Sequence, residues 1–131
     1  MNLPLDHVGI AVSSIAAALP FYEVLTGASA TPIERIEAQG VEVTFIGAEP
    51  SVELIAPTRA DSTVQRFLER RGPGLHHIAY RVEDIHAELE RLRAAGVRLI
   101  DEQPRAGACG HLVAFLHPSA SGGVLVELVQ H

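Results

Sequence analysis

The sequence predicts an α+β protein made of two tandem β-α-β-β-β modules. Three observations carry this. The stretch LDHVGIAV at 5–12 lies over LHHIAYRV at 75–82, each an apolar strand pattern with histidine in third place. VELIAP at 52–57 lies over VELVQH at 126–131. The matched landmarks are separated by nearly equal offsets, 70 from His7 to His77 and 74 from Glu53 to Glu127, as an internal duplication requires.

Each element follows from local pattern. The first strand ends at Ser13 and Ser14, either of which can cap a helix with the inner stripe Ile15, Leu19, Tyr22 and Leu25 beside it, closed by Gly27. Pro20 lies inside that stripe and lacks the amide a helix interior needs, which predicts a kink or a late helix start. Strands are expected over about 29–37, 41–47 and 51–56. In DSTVQRFLERRGPG, Ser62 and Gln65 have capping-box spacing, Val64, Phe67 and Leu68 give an apolar face, and GPG stops the helix. The second module repeats the plan: a strand at 75–82, a helix capped by Asp84 with stripe Ile85, Leu89, Leu92, then strands at about 97–101, 112–117 and 123–129. Together these predict a single domain over 1–131, with module one at about 1–58, a connecting helix at about 61–72 and module two at about 74–131.

Composition narrows the function. A chain of 131 residues, 47% apolar and 20% charged, can bury a real core. MNLPLDHVGIAVSS has no basic segment and no long apolar run, so neither a signal peptide nor a membrane anchor is expected, and with one cysteine, Cys109, the expected location is the cytoplasm. The net charge is −6, which argues against nucleic acid as a partner. All ten cationic side chains are arginine, so lysine Schiff-base chemistry is excluded while local sites for a small anion remain. Arg66, Arg70 and Arg71 on the connecting helix form either a solvated face or a docking edge for a ligand phosphate.

The four landmarks define a chemistry. Adjacent strand residues point to opposite faces, and only His77 overlays His7, so His77 and not His76 is expected to point inward. Two imidazoles and two carboxylates, His7, Glu53, His77 and Glu127, suit a divalent transition metal and leave coordination positions open. Duplication would place them symmetrically in one cup. A carboxylate in the apolar setting VEL is costly to bury without a partner, and a metal supplies one.

This layout resembles the vicinal oxygen chelate superfamily, and within it the methylmalonyl-CoA epimerase family along nearly the whole chain. LDHVGIAV, FYEVLTG, QGVEVTFIG, VELIAP, DSTVQRFLERRGPGLHHIAYRVEDI, GVRLIDEQPRAGACGHLVAFLHP and GGVLVELVQ carry the resemblance. It implies a cup-shaped mixed sheet around a metal site, and exchange of the proton between the thioester and carboxylate of an acyl-CoA. It further implies His7, Glu53, His77 and Glu127 as ligands, Glu127 also as catalytic base, one divalent ion per chain (cobalt, with zinc, manganese or nickel as alternatives), and a homodimer. The matching position of Glu53 is glutamine in some members.

Some members carry a second glutamate three places after the glycine of QGV; here that residue is Val43, and Glu42 belongs to the opposite strand face unless a bulge re-aims it. Where members have lysine after FLHP this chain has Ser119, which moves attention to Arg59, Arg66, Arg70, Arg71 and Arg105 as contacts for the coenzyme phosphates. Two rival readings share the fold: lactoylglutathione lyase, and a metal-free small-molecule binding module, which need not keep four ligands.

Overall fold

A computed structural model describes residues 2–131. The chain divides into two compact units, a first spanning His7–His76 and a second spanning His77–His131 together with residues 2–6.

The first unit holds β1 (Leu5–Ala11, from His7 on), α1 (Ile15–Thr26), β2 (Glu34–Ile36), β3 (Val41–Ile46), β4 (Ser51–Pro57) and α2 (Thr63–Arg71), with strand order β2-β3-β4-β1. Ser14 caps α1 by accepting a hydrogen bond from the Ala17 amide, and Gly27 closes it in the left-handed conformation. The helix runs unbroken through Pro20, against the expected late start. Ala16 and Pro20 are both exposed, so the carbonyl that loses its intrahelical donor faces water and the usual cost is reduced. Ile15, Leu19 and Tyr22 pack onto Val12, Leu54 and Ala56, but Leu25 is 66% exposed and does not belong to the stripe.

β3 and β4 are antiparallel in unbroken register from Val41 opposite Pro57 to Ile46 opposite Val52. β1 and β4 are parallel, which the long connection through α1, β2 and β3 allows. Alternation therefore gives the sheet two distinct faces. Val52, Leu54 and Ala56 turn to α1, while Glu53 and Ile55 share the other face with His7 and Ala11. The turn between β2 and β3 depends on Gly40, which has φ +65° and lies so close to the Arg59 guanidinium that a Cβ would come within 2.9 Å of it. Arg59 donates to the Glu37 carbonyl at 2.5 Å and to Asp61 at 2.8 Å, joining this turn to the entry of α2. Ser62 caps α2 through the Val64 amide, but its own amide donates to the Arg59 carbonyl at 3.3 Å, so the expected reciprocal contact from Gln65 is replaced by this turn.

The second unit holds β5 (Gly74–Arg81, from His77 on), α3 (Ile85–Ala94), β6 (Arg105–Ala106), β7 (Leu112–Leu116) and β8 (Val126–Gln130), with strand order β5-β8-β7-β6. Asp84 caps α3 through the Ala87 amide, and Ile85 and Leu89 pack with Val82, Ala114 and Leu128. The strand expected at 97–101 is reduced to one bridge, Leu99 to Leu116, and the edge pairing moves to Arg105–Ala106. Asp101 accounts for the change: its carboxylate accepts from the Phe115 amide at 2.9 Å, taking a donor that a ladder would have used. The N-terminal residues complete this unit. Leu3 packs against its core, the Pro4 carbonyl accepts from the Arg81 amide, and buried Asp6 bonds His131 Nε2 at 2.6 Å.

Candidate metal centre

In each unit a histidine from the first strand meets a glutamate from the last. Parallel pairing aligns Gly9 with Glu53, which puts His7 and Glu53 on one face; His7 Nε2 lies 3.6 Å from Glu53 Oε1. In the second unit Ala79 pairs with Glu127, and His77 Nε2 lies 3.5 Å from Glu127 Oε1. All four residues are buried, between 4% and 7% exposed. The surroundings repeat too. Phe45 stands opposite Glu53 and meets the His7 ring edge-on at 5.4 Å, and Phe115 stands opposite Glu127 and meets the His77 ring edge-on at 5.9 Å.

His76 faces elsewhere, its ring edge-on to Phe67 of α2 at 4.9 Å. The expected inward residue, His77, is the buried one.

The nitrogen-to-oxygen spacing within each pair is longer than a hydrogen bond. It fits two ligands of one cation: donors about 2.1 Å from an ion at a tetrahedral angle sit about 3.4 Å apart. A buried imidazolium–carboxylate ion pair would need further hydrogen bonds to offset desolvation, whereas neutral imidazole and carboxylate together form a borderline nitrogen and oxygen donor set. Each unit thus carries a buried pair that could ligate a divalent ion.

Glu42 pairs with Ala56 and with Arg35, on the α1 side of the sheet, and the register contains no bulge to re-aim it. Val43, 1% exposed, shares the Glu53 face. Among the arginines, Arg59 is held by Glu37 and Asp61, Arg66 donates to the Asp61 carbonyl at 3.3 Å, Arg71 lies over Phe67 at 5.8 Å and Arg105 over Phe115 at 5.5 Å. Phe45 and Phe115 are neighbours of the two pairs beyond those expected from the sequence. Phe45 and Phe115 carry a usable signal, since they stand eight residues before Glu53 and twelve before Glu127 in strands that the repeat aligns.

The repeated modules and their paired histidine and glutamate define the class. Residues 6–115 match the model of the Glyoxalase/Bleomycin resistance protein/Dioxygenase superfamily. The chain is 41% identical over 129 residues to an ethylmalonyl-CoA/methylmalonyl-CoA epimerase of Cereibacter sphaeroides, covering 96% of each. It is 39% identical over 127 residues to the mitochondrial methylmalonyl-CoA epimerase of Dictyostelium discoideum, covering 95% of this chain and 76% of that protein. A solved methylmalonyl-CoA epimerase, described as a complex with methylmalonyl-CoA and NH4+, matches with a TM-score of 0.92 at 35% identity over 99% of this chain and 95% of that one. The chain belongs to the methylmalonyl-CoA epimerase family of this superfamily and has its vicinal oxygen chelate fold.

Proposed function

We propose that this chain is a methylmalonyl-CoA epimerase, which interconverts the two stereoisomers of its substrate by moving the proton on the carbon between thioester and carboxylate. The observation that carries the reading is the buried histidine–glutamate pair, repeated in both units of a chain from the epimerase family. The solved relative bound to methylmalonyl-CoA supports the acyl-CoA substrate class.

We assign His7, Glu53, His77 and Glu127 as ligands of one divalent cation per chain, cobalt first, with zinc, manganese and nickel as alternatives that this donor set accepts. A cation held there would draw charge from the thioester oxygen and so acidify the neighbouring C–H bond. Glu127 is also the base that removes the proton, its carboxylate held against His77 and shielded from bulk water. Phe45 and Phe115 keep the two pairs dry, which strengthens the electrostatic contribution. We assign the chain to a single domain, as the tandem modules of the sequence suggest.

The finer assignments are a homodimer, a cytoplasmic location and a place in propionate metabolism. No helix among the described residues is long and apolar enough to cross a membrane, and the acidic balance supports neither nucleic acid nor an anionic surface as partner. The deciding experiment offers the metal-loaded protein each stereoisomer of methylmalonyl-CoA and, separately, the hemithioacetal of glutathione. Interconversion of the acyl-CoA supports the reading. Isomerisation of the hemithioacetal alone would make the chain a lactoylglutathione lyase, and turnover of neither, with binding retained, a binding module.

A further inference from the structure

Inversion at carbon imposes a requirement that Glu127 alone does not meet. A carboxylate on one face of the substrate that removes a proton returns it to the same face, giving exchange without epimerisation. A second group must deliver a proton from the opposite face. Val43 has no acid or base chemistry, and Glu42 stands on the other side of the sheet.

From the strand register we infer that Glu34 is this second proton-transfer residue. β2 and β3 are antiparallel with Glu34 directly opposite Val43, Arg35 opposite Glu42 and Ile36 opposite Val41. Residues directly opposite in antiparallel strands project to the same face, with Cβ atoms about 5 Å apart. Val43 shares its face with Phe45, and Phe45 stands opposite Glu53. Glu34 is therefore carried on the face that holds Glu53 and His7, one strand beyond Val43. On that face of β2, β3 and β4 the side chains are Glu34, Ile36, Val41, Val43, Phe45, Ser51, Glu53, Ile55 and Pro57. With Glu53 assigned to the metal, Glu34 is the one remaining ionisable group among them.

Its placement suits the task. Glu34 is half-buried on a three-residue edge strand, so its carboxyl can exchange protons with water between turnovers. The Arg59 clamp on Gly40 fixes the turn that sets the β2–β3 register. In the forward direction the Glu127 carboxylate takes the α-proton and the C–H electron pair remains on the substrate as an enolate. Protonated Glu34 then gives its proton to the other face of that carbon, forming the new C–H bond. The reverse direction exchanges the two roles, and water resets both carboxyls.

The inference rests on the epimerase reading, and the test separates the two. Metal-loaded native protein, Glu34→Gln and Glu42→Gln are given each stereoisomer in deuterium oxide, with inversion and α-deuteration followed separately and metal content measured. For Glu34→Gln the expected result is native metal content and epimerisation reduced about 100-fold or more, the scale of a lost acid–base group. Deuteration without inversion should survive from one stereoisomer and vanish from the other. Glu42→Gln should behave as native. Epimerisation by Glu34→Gln at the native rate, equal loss of exchange from both stereoisomers, or an equal defect in Glu42→Gln would overturn the assignment. Absence of epimerisation in the native protein would instead overturn the epimerase reading.

Discussion

His77 Nε2 lies 3.5 Å from Glu127 Oε1, and the pairing recurs in the other unit between His7 and Glu53. His76, next in sequence, contacts Phe67. His77→Ala should therefore abolish retention of a divalent ion through gel filtration, while His76→Ala should retain it, as read by elemental analysis of the purified variants. Equal loss in both would contradict the assignment.

The two glutamates should separate by function. Glu127→Gln keeps one ligand oxygen but cannot accept the substrate proton, so at saturating metal it should bind substrate and lose α-proton exchange by about 100-fold or more. Glu53→Gln should keep most activity once metal is supplied, because the role proposed for it is ligation alone. Mass spectrometry of substrate incubated in deuterium oxide reads both, and full exchange by Glu127→Gln would remove it from the role of base.

Much of this arrangement was legible in the sequence because duplication writes it twice. One histidine or one VEL segment says little, but two of each at matched offsets fix which side chains point the same way. What the sequence withheld depends on pairing partners. Pro20 is tolerated because its neighbourhood on α1 faces water. The strand expected at 97–101 yields to Asp101 binding the Phe115 amide, a contact between residues fourteen apart. Glu34 shares a face with Glu53 only through two successive strand registers, which no local pattern encodes.

Arg59 should separate from the other arginines proposed for the coenzyme phosphates. Its hydrogen bond to the Glu37 carbonyl holds a turn, so Arg59→Ala should lower stability by about 1 kcal/mol, the net worth of one such contact, measured by urea unfolding. The Arg59 guanidinium also holds the Asp61 carboxyl below its ordinary value of 3.8. A depressed carboxylate adds stability above its unfolded value and loses it as pH falls through the folded one, so the difference between native and variant should shrink below pH 3.8. Among Arg66, Arg70, Arg71 and Arg105, at least one alanine substitution should raise KM for the acyl-CoA more than it lowers kcat; unchanged KM in all four would displace the phosphates from this region.

Packing and capping predict different magnitudes. Leu54 is fully buried between α1 and the sheet, and Leu54→Ala should cost about 2–5 kcal/mol. Asp84 caps α3 through one amide, and Asp84→Ala should cost about 1 kcal/mol. Chemical denaturation of both variants checks the ratio, and equal losses would contradict the packing described.

Whether the four proposed ligands hold a single ion needed for epimerisation is read by metal titration. Chelated protein is titrated with cobalt while bound metal and methylmalonyl-CoA interconversion are followed together. Both should rise in step and saturate at one equivalent per chain. Saturation at two equivalents per chain, or full interconversion in the chelated protein before any cobalt is added, would contradict the single-ion proposal.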